Sequence, residues 1–231
     1  MSPASIACAP VGSGATDDGD RVADDADVLR LLRTSTAGEH QAVEDALDLL
    51  SPTLTPTRLV DVLDRMHGFW LAAEAGLDHW EEASPADAAL LDWPRRRRAS
   101  LFAADLAALG APPAGNRPDL PPVADTDAAL GRLYVLEGSS LGGVFIDRHL
   151  ATLPQLQSTG RLSCFSPYGA QTGAMWHAFR TVTRGHVAAG GDAGRVVHAA
   201  RQTFRALASW CGASLPVVPR RPSSPVREVS A

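Results

Sequence analysis

The 231-residue chain contains no lysine: all 21 of its basic residues are arginine. Schiff-base catalysis through a lysine and phosphate binding through a P-loop lysine are therefore both excluded. Cysteine is nearly absent too. Cys8, Cys164 and Cys211 are odd in number and far apart, so neither a disulfide framework nor a CxxC metal or redox site is available, and a reducing cytoplasm is the expected compartment. No run approaches the roughly 20 apolar residues that span a bilayer. Residues 1–15 lack a basic n-region and a continuous apolar core, so no secretory signal is expected, and Ser5-Ile6-Ala7-Cys8 is only a weak match to a lipoprotein cleavage site. A formal charge of -5 argues against a general nucleic-acid binder. No β-branched run alternates as a strand would.

What is present is helical periodicity. Hydrophobic residues make up 45% and charged residues 20% of the chain, ordinary for one globular domain. Residues 1–26 are rich in Gly, Ala, Ser and Asp and are expected to be a disordered acidic tail. The segment 213–231, with Pro216, Pro219, Pro222 and Pro225, reads as a second tail. Between them, residues 27–212 are expected to form a single all-α, multi-helix bundle. Leu29, Leu32, Thr36, His40, Val43, Leu47 and Leu50 recur every three or four residues, predicting a first helix with His40 on its buried stripe. Further helices are predicted from Thr57 to about Glu82, between Pro94 and Leu109, from Asp125 or Thr126 to about Leu150, from about Ala170 to Ala189, and from about Asp192 to Cys211. The proline-rich stretch from Ala111 to Pro122 reads as a surface connection.

Two helices carry candidate chemistry. Glu44 stands four residues after His40, where its carboxylate can take the imidazole Nδ1 proton and leave Nε2 facing inward as a metal ligand. The bland alternative is a His–Glu pair on a partly solvated face. His67, His79, His149, His177, His186 and His198 form neither HExxH nor Glu-x-x-His, so a carboxylate di-iron site lacks its motif. In the fourth helix Gly138, Gly142 and Gly143 each cost about 1 kcal/mol relative to alanine. Something must offset that cost. Gly138 and Gly142, at i and i+4, lay bare backbone on one face, for a flat ligand or for another helix, and the adjacent Gly142-Gly143 favours a kink or flexible segment. Ser139 and Ser140 are placed to hold water, while Glu137 reads as pointing outward or pairing with an arginine.

Together, Arg33-x-x-Thr36-x-x-x-His40-x-x-x-Glu44 and Tyr134-Val-Leu-Glu-Gly138-Ser-Ser-Leu-Gly142-Gly143 resemble the two signature helices of bacterial haem oxygenases, particularly the branch associated with bacteriophytochromes. The stretch from Phe165 through Tyr168, Gly169, Gly173 and Trp176 to Phe179 resembles that branch as well, so the similarity extends over roughly Leu29 to Trp210. The resemblance implies that His40 is the proximal iron ligand, with Gly138, Ser139, Gly142 and Gly143 lying over the ring of a haem that is both cofactor and substrate. It implies opening of that ring to biliverdin, carbon monoxide and ferrous iron, with dioxygen and an external electron donor such as a ferredoxin or reductase; a bacteriophytochrome is a plausible recipient of the product. One departure is visible: Ser139 stands where some family members carry an aspartate that organises water, leaving Ser139, Arg132 or ordered water as substitutes.

Haem propionates need cations or hydroxyl donors. Arg180 and Arg184, four residues apart, match approximately the basic pair of the family, with Tyr134 and Arg33 as weaker candidates and His177 behind them. Arg95-Arg96-Arg97-Arg98 reads mainly as surface balanced by Asp87 and Asp92, with docking of an acidic electron donor as a lesser alternative. Trp70, Trp80 and Trp176 read as core or pocket wall. Three functions stay open: haem oxygenase, a haem-binding or haem-trafficking protein of the same fold that leaves the ring intact, and a haem-free helical scaffold or di-iron oxidase.

Overall fold

The computed structural model describes residues 27–212; the expectations placed on residues 1–26 and 213–231, and on Cys8, lie outside them. The described residues form α-helices and short 3₁₀ turns with no strand, and none of the helices is long and apolar enough to cross a membrane.

The predicted first helix is two. Helix α1 (Val28–Ser35) starts where the Asp27 carboxylate accepts from the Leu29 amide at 3.2 Å. It stops at Thr36, whose hydroxyl donates to the Leu32 carbonyl at 2.8 Å and whose backbone leaves the helical region at φ -109°, ψ 3°. A threonine hydroxyl competing for a helix carbonyl explains the break. Helix α2 (Ala37–Leu47) follows at once and ends at Asp48, which takes a left-handed φ of 47°, a conformation aspartate tolerates better than most residues. The reorientation overturns one expectation: His40 is not buried, its side chain being 52% exposed.

Helix α3 (Pro56–Ala83) agrees with its predicted span. Thr55 caps it by accepting from the Arg58 amide, Pro56 occupies its first position, and Leu63, Phe69, Trp70, Ala73, Leu77 and Trp80 lie in the core. The predicted third helix is divided into α5 (Trp93–Arg96) and α6 (Ala99–Ala108), preceded by α4 (Pro85–Leu90). The division has a tertiary cause. The buried Glu74 carboxylate, from the middle of α3, accepts from the amides of Arg98 at 2.6 Å and Ala99 at 2.8 Å and so caps α6 from outside its own sequence. Burial raises the Glu74 carboxyl above its usual range, against the pull of those amides.

Helix α7 (Thr126–Thr152) opens on Asp125, whose side chain accepts from the Ala128 amide, and continues unbroken through Gly138, Gly142 and Gly143. Helices α8 (Thr172–Ala188) and α9 (Ala193–Gly212) complete the bundle. Helix α9 packs against both α7 and α2. A Cβ on Gly131 would fall 2.3 Å from the Val196 carbonyl oxygen, so glycine is what lets α7 and α9 close on each other.

Candidate functional site

The site is built on one stripe of α7. Residues 134, 138, 142, 145 and 149 recur at helical spacing and share a face. The two ends of that stripe meet different neighbours. At one end the Tyr134 ring lies 6.4 Å from the ring of Phe204, which in turn meets the His40 imidazole edge-on at 5.7 Å. At the other end His149 Nε2 lies 3.5 Å from the carbonyl of Ser51, in the connection after α2. The intervening face carries Gly138 and Gly142.

It is bare. A Cβ added at Gly138 or Gly142 would meet nothing within 4 Å. The adjacent Gly143 does a different job: a Cβ there would lie 2.0 Å from the Phe165 carbonyl oxygen, so this glycine seats α7 against the backbone of a neighbouring turn. The glycine pair is thus divided between open space and a packed interface. On α2, His40 has Nδ1 3.7 Å from Glu44 Oε1, inside ion-pair range but beyond a hydrogen bond, so the two pair on a partly solvated face. The imidazole is accessible. No group of three or more His, Cys, Asp or Glu that could hold a metal ion occurs among the described residues.

Behind the stripe lies a buried polar brace that the sequence did not announce. Of the four consecutive arginines, Arg96 and Arg98 are 3% and 1% exposed, which corrects their reading as surface. Arg96 donates to Glu137 at 2.5 Å, and the Tyr168 hydroxyl donates to the other Glu137 oxygen at 2.7 Å. Glu137, placed outward or on an arginine by sequence, is fully buried and arginine-paired. Burial pushes its carboxyl above the usual range, against the pull of Arg96, and burial with the neighbouring Glu137 raises the Tyr168 phenol. Arg98 donates to the Leu136 carbonyl and to Ser139 Oγ, both at 2.9 Å, and to the Cys164 carbonyl at 2.6 Å. Its guanidinium lies over the rings of Trp70 and Phe102. Ser139 in turn donates to Leu136 at 2.7 Å. The hydroxyl proton is therefore spent on the helix, leaving its oxygen one further lone pair.

Arg97 alone of the quartet's inner residues reaches out, to Asp78 and Glu81 on the surface. Arg132, a sequence candidate for proton delivery, points elsewhere: its guanidinium packs where a Gly76 Cβ would be and donates to the Pro121 carbonyl at 2.5 Å. Burial without a carboxylate partner lowers its pKa to about 10.

The remaining candidates lie on α1, α7 and α8. Tyr134 lies 6.0 Å from Trp176, which stacks at 5.3 Å on Phe179. Arg180, one turn beyond Trp176 on α8, has a buried Nε with no hydrogen-bond partner. Arg184 donates to both carboxylate oxygens of Asp27, at 3.1 and 2.6 Å. Arg33 is exposed in the last turn of α1 and makes no hydrogen bond or ion pair among the described residues. His177 is exposed. The described residues thus offer an exposed imidazole on α2, bare backbone on α7, and on α8 an arginine Nε that is buried without a hydrogen-bond partner.

The buried brace was missed because its members come from four separate segments. The signals were the run of four arginines and the reading of Glu137 as an arginine partner, and charge runs are usually solvated.

No family model and no curated protein matches this chain. Among solved structures, the chain is similar to the NO- and CO-bound haem oxygenase from Neisseria meningitidis, with a TM-score of 0.62 and 22% identity over 82% of this chain and 94% of that one. With its all-helical architecture, the chain has the haem oxygenase fold.

Proposed function

We propose that the chain binds haem in the cleft between α2 and α7 and opens the ring to biliverdin, with release of carbon monoxide and ferrous iron, using dioxygen and electrons from an external donor. The observation that carries this reading is the bare backbone at Gly138 and Gly142, in a fold whose α2 also carries the half-exposed imidazole of His40. A haem would need an imidazole for its iron and a wall without side chains, and these residues would supply them.

The residues fit the group. His40 would hold the iron through Nε2, with the Glu44 carboxylate 3.7 Å from Nδ1. Gly138 and Gly142 would permit close approach of the ring. The orphaned Arg180 Nε would be satisfied by a propionate, with Tyr134 near the same end, while Arg184 is already held by Asp27 and steadies α8 instead. Haem itself supplies the oxygen chemistry once reduced. The protein's contribution is to orient the ring, exclude bulk water and deliver protons. Ser139 has one lone pair left to accept from a water, and Arg98 fixes where that oxygen sits. A bacteriophytochrome apoprotein is the proposed recipient of the bilin, a reading supported by the resemblance of the stretches 134–143 and 165–179 to the phytochrome-associated branch.

The same serine favours a second reading, in which haem is held and not degraded, because no carboxylate occupies that position. Purified protein titrated with haem is expected to develop a Soret band that His40→Ala weakens and shifts. Addition of reduced ferredoxin, with catalase present to remove free peroxide, is expected to replace that band with a bilin spectrum. A stable complex that never turns over selects the second reading; absence of saturable binding removes both.

A further inference from the structure

Helices α7 and α9 close on each other at Gly131, where an added Cβ would fall 2.6 Å from that of Ala199. Beside this contact both helices carry small residues. Ala128 stands one turn before Arg132 on α7, and Ala199 one turn before Gln202 and Thr203 on α9. Two adjoining hollows lie there, sharing Ala128, Ala199 and Gln202. The inner one, about 20 Å³, is lined by Arg132 and the 121–123 connection and has room for one oxygen-sized group. The outer one, about 310 Å³, opens to the surface beside His198 and Arg195.

Arg132 is a costly residue to find in such a place. It is 5% exposed, its Nη2 donates to the Pro121 carbonyl at 2.5 Å, and its Nε is buried with no acceptor. Burial lowers its pKa only to about 10, so it is charged at neutral pH. No carboxylate among the described residues offsets that charge. Arg96, equally buried, is met by Glu137. A buried cation without a counter-charge is strongly destabilising, which points to an anion supplied from outside the described residues. The rim is polar and electrically balanced. Arg195 is held by Asp125 and Asp127, and Asp192 accepts from the amides of Gly194 and Arg195 at the start of α9. Gln202, common to both hollows, has no hydrogen-bond partner among the described residues, and His198 is exposed. The one unbalanced charge at these hollows is therefore Arg132.

We propose that these hollows bind a small hydroxycarboxylate, one carboxylate oxygen entering the inner hollow against Arg132 and the hydroxyl-bearing remainder lying in the outer hollow on Gln202 and His198. A space for one oxygen suits a flat carboxylate better than a tetrahedral phosphate, whose neighbouring oxygens crowd the entrance. A balanced rim offers a second carboxylate nothing, whereas an amide and an imidazole serve hydroxyls. Ala128 and Arg132 lie off the stripe of α7 that carries Gly138 and Gly142, so the site stands independently of haem.

Titration calorimetry and thermal unfolding of the full chain, without haem and at constant ionic strength, test it with glycerate, propionate and inorganic phosphate as probes. Glycerate is expected to bind saturably and to raise the Tm, with propionate and phosphate each weaker by about fivefold or more. Arg132→Met is expected to melt no lower than the parent when no probe is present, because the unpaired charge is gone, and to bind glycerate about tenfold more weakly or worse. Gln202→Ala, at a partly exposed position, is expected to keep the parent Tm without probe and to weaken glycerate about threefold or more. If Arg132→Met does not fold, Gln202→Ala decides by the same affinity. Absence of saturable glycerate binding to the parent, phosphate binding as tight as that of glycerate, or an unchanged glycerate affinity in the folded variants overturns the proposal.

Discussion

At the scale of single residues, the three glycines of α7 have opposite expected fates. Gly138 and Gly142 are in open space, so Gly138→Ala or Gly142→Ala gains helix propensity without a clash, and each is expected to stabilise the ligand-free protein by up to about 1 kcal/mol. The same methyl obstructs the cleft, so haem affinity in a Soret titration is expected to fall at least tenfold. Gly143→Ala instead drives a methyl into the Phe165 backbone and is expected to destabilise by about 1–3 kcal/mol in urea unfolding. Equal effects at all three positions would contradict this division. The buried Arg96–Glu137 pair supplies a second residue-scale prediction. Glu137→Gln leaves Arg96 without its counter-charge at 3% exposure and is expected to cost about 3–5 kcal/mol. Replacing both residues by methionine is expected to recover most of that loss, since the desolvation of two charges is removed together. A double variant no more stable than the single one would show that the pair contributes more than it costs.

Among the elements, the docking of α1 on α8 depends on acid–base state. The Arg184 hydrogen bonds beside Asp27 hold its carboxyl below the ordinary value of 3.8, with the Leu29 amide adding to the effect. A carboxylate whose folded pKa is depressed stabilises fully above its unfolded value and loses that contribution as pH falls through the folded one. The start of α1 is therefore expected to stay docked at neutral pH and to loosen only below about pH 4. The amide resonance of Leu29, which donates to Asp27, reports the transition. In Asp27→Asn that titration should vanish; its persistence would assign the change to another group. The element scale also explains the broken first helix. Thr36 and Asp48 are both polar residues able to bond their own backbone, so the boundaries were legible as possibilities in the sequence. Their choice over a continuous helix followed from packing α2 along α9.

For the whole molecule, the two described cysteines measure global stability. Cys164 and Cys211 are buried at 0% and 3% exposure, and burial raises both thiols, Cys211 to about 12. In a Cys8→Ser background, a thiol reagent at pH 8 is expected to label neither residue until the bundle opens. Labelling rates should then follow the unfolding equilibrium across a urea series. Rapid reaction of Cys164 in native buffer would mean that the turn held by Arg98 and Asp105 opens on its own, since both residues grip its backbone.

The amino-acid pattern by itself determined the all-α class, the spans of α3, α7, α8 and α9 to within a few residues, and the pairing of His40 with Glu44 at one turn's distance. These are local properties, written in periodicity and in caps such as Asp125 and Thr55. Only the tertiary structure decided which glycine faces open space and which faces Phe165, that His40 is exposed, and that Arg96 and Arg98 are interior. The physical reason is common to all three. Bare backbone, an imidazole and a guanidinium take their function from what stands opposite, and here that partner comes from segments up to 164 residues away, as Phe204 does for His40.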